Sequence, residues 1–197
     1  HPDLVKKIMD QGHEIAHHGY LHKNVFLLNE EEELNEFEKG EESLKKVTGK
    51  QTLGWSAPGW GVRSNTLQIL VKMGKIYDSS LMEFDRPYFV NVNGKILVEL
   101  PISMILDDYE IFGASLFPNG GGVNATAEWG GKIWQEEFDG MRKYGGLFNT
   151  TFHPEILGRP GRMVMLYNLF SYMKSFDDVW WTTCEELSNH VLKFYKS

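Results

Sequence analysis

Along almost the whole chain, short apolar runs bounded by turn residues alternate with longer stretches whose apolar side chains recur at helical spacing. A chain patterned this way is driven toward an α/β fold with a mainly parallel sheet, because a helix between two strands returns the second strand alongside the first. Helices are expected at residues 2–11, with Pro2 at the first helical position, a stripe of Leu4, Val5, Ile8 and Met9, and Gly12 as the stop. Further helices are expected at 30–48, capped by Asn29 and ended by Gly49, at 64–73, capped by Ser64, at 126–144, capped by Thr126, at 162–176 and at 184–194. In the fourth segment Trp129, Ile133, Trp134, Phe138 and Met141 form the inward face, and the run of Glu in the second reads as a solvated face. Strands are expected at 13–16, 51–55, 147–152 and 179–182. Residues 88–92 and 95–100 flank Asn93-Gly94, the dipeptide a two-residue hairpin turn prefers, and should pair antiparallel. Residues 113–125, with Pro118 and three consecutive glycines at Gly120 to Gly122, read as a flexible loop.

Length and charge narrow the function. A chain of 197 residues can bury one sizeable core, so a single domain over 1–197 is expected. The net charge of -7, with Lys and Arg scattered, offers no surface to nucleic acid. No run reaches the roughly 18 apolar residues of a membrane span. One cysteine, Cys184, permits no internal disulfide and points to the cytoplasm. The sequons at Asn124 and Asn149 carry no weight at the frequency chance allows.

Residues 13–22 hold four of the seven histidines. Such a cluster points to a metal, since imidazoles a few residues apart can converge on one ion. Two registers compete. His13-Glu14-Ile15-Ala16-His17 matches the H-E-x-x-H helix of zinc peptidases, with the Glu as base. His18-Gly19-Tyr20-Leu21-His22 instead puts two histidines just after a short β-like segment, where an α/β fold collects its chemistry.

The second register, preceded by Gly12-His13-Glu14-Ile15, resembles the H-x-x-x-H metal motif of polysaccharide deacetylases, carbohydrate esterase family 4. Further motifs follow in the family's order: Gly54-Trp55-Ser56-Ala57-Pro58, Tyr77-Asp78-Ser79-Ser80-Leu81, Glu99-Leu100-Pro101 with Leu106-Asp107-Asp108, and Thr151-Phe152-His153-Pro154. The branch it is most similar to holds peptidoglycan deacetylase-like and cyclic-imide hydrolase or allantoinase-like members. The resemblance implies a distorted (β/α) barrel and hydrolysis of a non-peptide amide by metal-bound water. It implies His18 and His22 as metal ligands, His153 as the acid that protonates the departing amine, and Asp107 or Asp108 as the carboxylate that orients that His. Zinc is the first expectation for the metal, with nickel, cobalt or manganese also suited to imidazole and carboxylate. The substrate implied is an N-acetylated sugar such as peptidoglycan, or a small cyclic imide or ureide; Trp55, Pro58, Trp60 and Tyr109 would bind it. A homo-oligomer is in keeping with this branch.

Two departures shape these expectations. The family's Asp pair, one a ligand and one the base, belongs on a strand well before H-x-x-x-H, whereas Asp3 and Asp10 fall on an expected helix. The domain is therefore expected to lack its first strand or strands, with a non-catalytic metal- or glycan-binding remnant as another reading. Ser56 also stands where many polysaccharide-active members carry Arg.

Overall fold

A computed structural model describes residues 1–113 and 125–195, and in it the chain divides into two compact units, 1–101 with 182–197 and 102–181. The first unit carries the sheet. β1 (Gly54–Trp55), β2 (Tyr77–Asp78) and β4 (Lys95–Glu99) run parallel, and β3 (Tyr88–Val92) closes the order β1-β2-β4-β3 antiparallel to β4. The hairpin turn takes positive φ at both Asn93 and Gly94, which aligns its twist with that of the strands. Outside β1 the strand expected at 13–16 contracts to one bridge, His17 to Trp55, made by His17 N–H to Gly54 O and Ser56 N–H to His17 O.

Around the sheet lie α1 (Pro2–Asp10), α2 (Glu30–Thr48), α3 (Ser64–Lys72) and, returning from the far end of the chain, α8 (Cys184–Tyr195). Asn29 and Glu32 form the reciprocal cap expected for α2, and left-handed Gly49 ends it. The cap of α3 is Arg63 rather than Ser64, because Thr66 turns its hydroxyl back to accept the Arg63 N–H. The glutamates of α2 depart furthest from expectation. Glu33, Glu36 and Glu41 are buried, not solvated, each receiving donors from neighbouring elements. Lys75 Nζ, itself buried, donates to Glu41 and to Thr52.

The sheet core packs Phe37, Trp55, Ala57, Ile69, Leu70 and Leu97 together. Gly54 lets Tyr77 lie flat across β1: a Cβ there would overlap the Tyr77 ring. Gly54→Ala should therefore destabilise the first unit by about 3 kcal/mol, at the upper end for an overpacked core. Thermal unfolding would show it, and a drop below about 1 kcal/mol would mean that the ring has room to move.

The second unit packs α4 (Asp108–Phe112), α5 (Ala127–Tyr144), α6 (Pro154–Leu157) and α7 (Pro160–Met173) around Leu106, Phe112, Trp134, Phe138, Leu169 and Met173. Thr126 caps α5 as expected, but Trp129 is exposed; the buried stripe starts at Gly130, whose missing side chain lets Phe112 approach. The strand expected at 147–152 is reduced to one bridge, Thr151 to Asp107, made by Thr151 N–H to Leu106 O and Asp108 N–H to Thr151 O. Residues 179–182 form no strand. Apart from Gly113 and Ala125, the loop expected at 113–125 lies outside the described residues. No described helix is long and apolar enough to cross a membrane.

Candidate active site

In the first unit the site is built on the loop that leaves the His17 bridge. The chain turns at Gly19 and again at His22, both with positive φ, and this brings the His18 and His22 rings to a 4.9 Å centroid separation, one edge-on to the other. The two imidazoles thus meet through a loop rather than along a helix face. His18 Nδ1 lies 2.6 Å from the carbonyl oxygen of Ser56. A carbonyl only accepts, so Nδ1 carries the proton and the lone pair sits on Nε2, the arrangement usual for a metal-ligating histidine. That tautomer and the paired rings fit the family's divalent metal.

His17 settles the competition between registers. It is buried, stacked on Phe37 and tilted against Trp55, its Nε2–H donating to Phe37 O while Nδ1 accepts the Gly19 N–H. Both ring nitrogens are engaged, and burial lowers its pKa to about 4, so it is a neutral scaffold residue. Gly40 of α2 makes this possible, since a Cβ there would strike the His17 ring. α1 ends at Asp10, and residues 13–17 are not helical. The zinc-peptidase reading, with His13 and His17 one helical turn apart, is overturned.

The second unit holds a carboxylate–histidine pair. Asp108 is fully buried at the start of α4, and His153 precedes α6; Asp108 Oδ2 accepts the His153 N–H at 2.8 Å and Oδ1 lies 2.6 Å from Nδ1. Fixing both backbone and ring from one carboxylate sets the imidazole's direction and leaves Nε2 as the nitrogen that exchanges a proton. Asp107 is farther, 3.9 Å from Nδ1, and its Oδ1 instead accepts the Tyr109 N–H. The orienting carboxylate is therefore Asp108. Burial raises the pKa of both carboxyls, and the hydrogen bonds from His153 pull that of Asp108 back. Among the described residues, Asp107, Asp108 and His153 form the one set of three such side chains whose ligand atoms lie within 4.8 Å of one another. Both Asp108 oxygens already serve His153, so the set reads as an oriented histidine before it reads as a cation site.

The four residues expected to bind substrate separate. Trp55 is buried in the sheet core, and Pro58 is buried beneath Gly19; neither presents a face to solvent, so both are corrected to scaffold roles. Trp60 is half-buried, with positive φ. Tyr109 sets its ring edge-on to His153 at 4.3 Å and donates its hydroxyl to Glu155.

A carboxyl pair escaped the sequence reading. Asp78 and Glu99 are register partners on β2 and β4, both fully buried; burial pushes the Asp78 carboxyl well up, and the Glu99 charge adds to this. Burial raises Glu99 too. The signal was present: an acid in each of two apolar runs, Ile76-Tyr77-Asp78 and Leu97-Val98-Glu99-Leu100.

Comparison with known proteins agrees with this geometry. The family model described as polysaccharide deacetylase matches residues 1–77. A peptidoglycan deacetylase of Helicobacter pylori is 30% identical over 97% of this chain and 74% of its own length. Among solved structures, a Mycobacterium smegmatis protein of the polysaccharide-deacetylase kind superposes with a TM-score of 0.92 at 36% identity, covering 99% of this chain and 68% of that one. The Puue allantoinase gives 0.86 at 25% identity, over 96% and 62%. With paired histidines on a post-strand loop, an Asp-held histidine before α6, and a curated relative that is 30% identical over 97% of this chain, the chain belongs to the polysaccharide deacetylase family, hydrolases of carbon–nitrogen amide bonds.

Proposed function

We propose that this chain catalyses metal-dependent N-deacetylation of an N-acetylated sugar polymer, peptidoglycan foremost, with His18 and His22 as metal ligands and His153 as the acid. The observation that carries the substrate is the 30% identity to the Helicobacter pylori peptidoglycan deacetylase along 97% of this chain. A divalent metal held by His18 and His22, zinc in the first instance, would supply Lewis acidity toward the scissile carbonyl and toward water. The remaining chemistry belongs to side chains. The Ser56 carbonyl holds His18 in the ligating tautomer, and Asp108 holds His153 so that Nε2 can deliver a proton to the amine nitrogen as the C–N bond breaks. Tyr109, anchored through Glu155 and Asp107, limits rotation of the His153 ring.

A second reading, opening of a small cyclic amide, is supported by the likeness to the Puue allantoinase and by Ser56, whose hydroxyl donates to Ser79 O in place of a charged side chain.

The test is elemental analysis of the purified protein, with acetate release from N-acetylglucosamine polymers measured beside ring opening of allantoin. Wild type should carry metal and release acetate. The double variant His18→Ala/His22→Ala should lose the metal and at least 10³-fold in rate, because the effects of Lewis acid and activated water vanish together. Metal retained by the double variant would remove both histidines from the ligand set, and ring opening without acetate release would select the second reading.

A further inference from the structure

Asp78 and Glu99 stand side by side on neighbouring parallel strands with no exposed surface, a poor place for two negative charges. Their hydrogen bonds are asymmetric. Asp78 Oδ1 accepts the Ser80 hydroxyl at 2.6 Å, while Glu99 Oε1 accepts two backbone N–H groups, from Ser80 at 3.0 Å and Leu81 at 2.9 Å. The other two oxygens, Asp78 Oδ2 and Glu99 Oε2, are buried and receive no donor from any protein group. Carboxylates cannot donate to each other, so the pair is satisfied only if one proton lies between them.

With its hydrogen committed to Asp78, the Ser80 oxygen is left as an acceptor, and it accepts the buried Ala57 N–H at 2.9 Å. Ala57 follows Ser56, whose carbonyl holds His18 Nδ1. The same short segment is bound to the 78–80 strand end by Ser79 N–H to Trp55 O and by the Ser56 hydroxyl to Ser79 O. A continuous hydrogen-bonded path therefore runs from the carboxyl pair through Ser80 and the Ser56–Ala57 peptide to the His18 ring.

We infer that Asp78, Glu99 and Ser80 are positioning residues for the hydrolytic reaction: a proton-sharing carboxyl pair orients the Ser80 hydroxyl, which fixes the Ser56 carbonyl and through it the orientation and tautomer of His18. The inference rests on the reading of His18 as a metal ligand. It goes beyond that reading in assigning work to a buried pair remote from any reacting atom. If the pair only filled the core, His18 would not sense its composition.

The decisive measurement is the nitrogen-15 spectrum of the His18 ring in metal-free protein at neutral pH, which reads the tautomer directly, followed by titration with zinc. Wild type should show the Nδ1-protonated form. Ser80→Ala should fold but lose that single-tautomer signature, and its zinc affinity should fall about 10-fold, the lower end for loss of an outer-shell partner. Asp78→Asn supplies an N–H in place of the shared proton and keeps an oxygen for Ser80, so it should restore the wild-type tautomer and affinity. A folded Ser80→Ala with an unchanged His18 spectrum overturns the inference. If Ser80→Ala does not fold, Ser80→Cys, whose thiol is a weak donor and a weak acceptor, takes its place: a folded variant with a mixed His18 tautomer upholds the inference, and an unchanged tautomer overturns it. Zinc that leaves the wild-type His18 resonances unmoved defeats the ligand reading instead, and the tautomer comparison still judges the positioning path.

Discussion

His153→Ala lowers kcat for acetate release by about 10³-fold, within the range contributed by a positioned general acid, while metal content stays at the wild-type level. Expulsion of an amine from a tetrahedral intermediate needs a proton on nitrogen. On the proposed reading His153 supplies it, held through both its backbone N–H and Nδ1 by the fully buried Asp108. Neither the His18 hydrogen bond to Ser56 O nor the His18–His22 ring pair involves His153, so metal binding and catalysis should separate cleanly. Asp108→Asn is the companion variant. An amide can keep the backbone contact but no longer offers a carboxylate to Nδ1, so kcat should fall while KM changes little. Metal lost together with activity in His153→Ala would instead make His153 a ligand and return the Asp107, Asp108 and His153 set to the status of a cation site.

Glu33→Ala destabilises the first unit by about 3 kcal/mol, the lower end for removing one partner of a buried charged pair. Glu33 has no exposed surface and accepts from Arg63 Nη2, Asn65 Nδ2 and Thr66 Oγ1, so its loss takes the acceptor from three donors at a buried site. The lower end applies because Arg63 is partly exposed and can recover water, and it retains its bond to Leu28 O. Glu42→Ala, on the exposed side of the same helix with only Lys46 as partner, should leave the urea midpoint nearly unchanged. Equal effects from the two variants would show that burial of Glu33 contributes nothing to stability.

These two glutamates mark the boundary of what was legible. α2 was read from local spacing and capping residues almost to the residue, as were α1, α5, α8 and the hairpin at Asn93-Gly94, because helix caps and tight turns are governed by neighbours a few positions away. Which glutamates of α2 face the protein was not legible, because Arg63, Thr66 and Lys75, which accompany their burial, lie tens of residues downstream. Short strands failed for the same reason. A two-residue strand such as Gly54–Trp55 exists only because Tyr77 and Asp78 come alongside, and within 147–152 the ladder is a single bridge at Thr151.

The candidate site divides along the same line. The ordered motifs were enough to single out His18, His22, His153 and the adjacent aspartates, since residue type and motif order are properties of the chain itself. Only the tertiary structure decided between His17 and His18, by burying the first ring against Phe37 and Trp55 and leaving the second beside His22. It alone chose Asp108 over Asp107, moved Trp55 and Pro58 into the scaffold, and brought Asp78 against Glu99. Sequence by itself determined the α/β alternation and the helices, which local periodicity sets, and its motifs marked the candidate site residues through their resemblance to a known family. Burial, strand register and the partner of each ionisable group depend on segments far apart in the chain meeting in space, and those only the folded protein could decide.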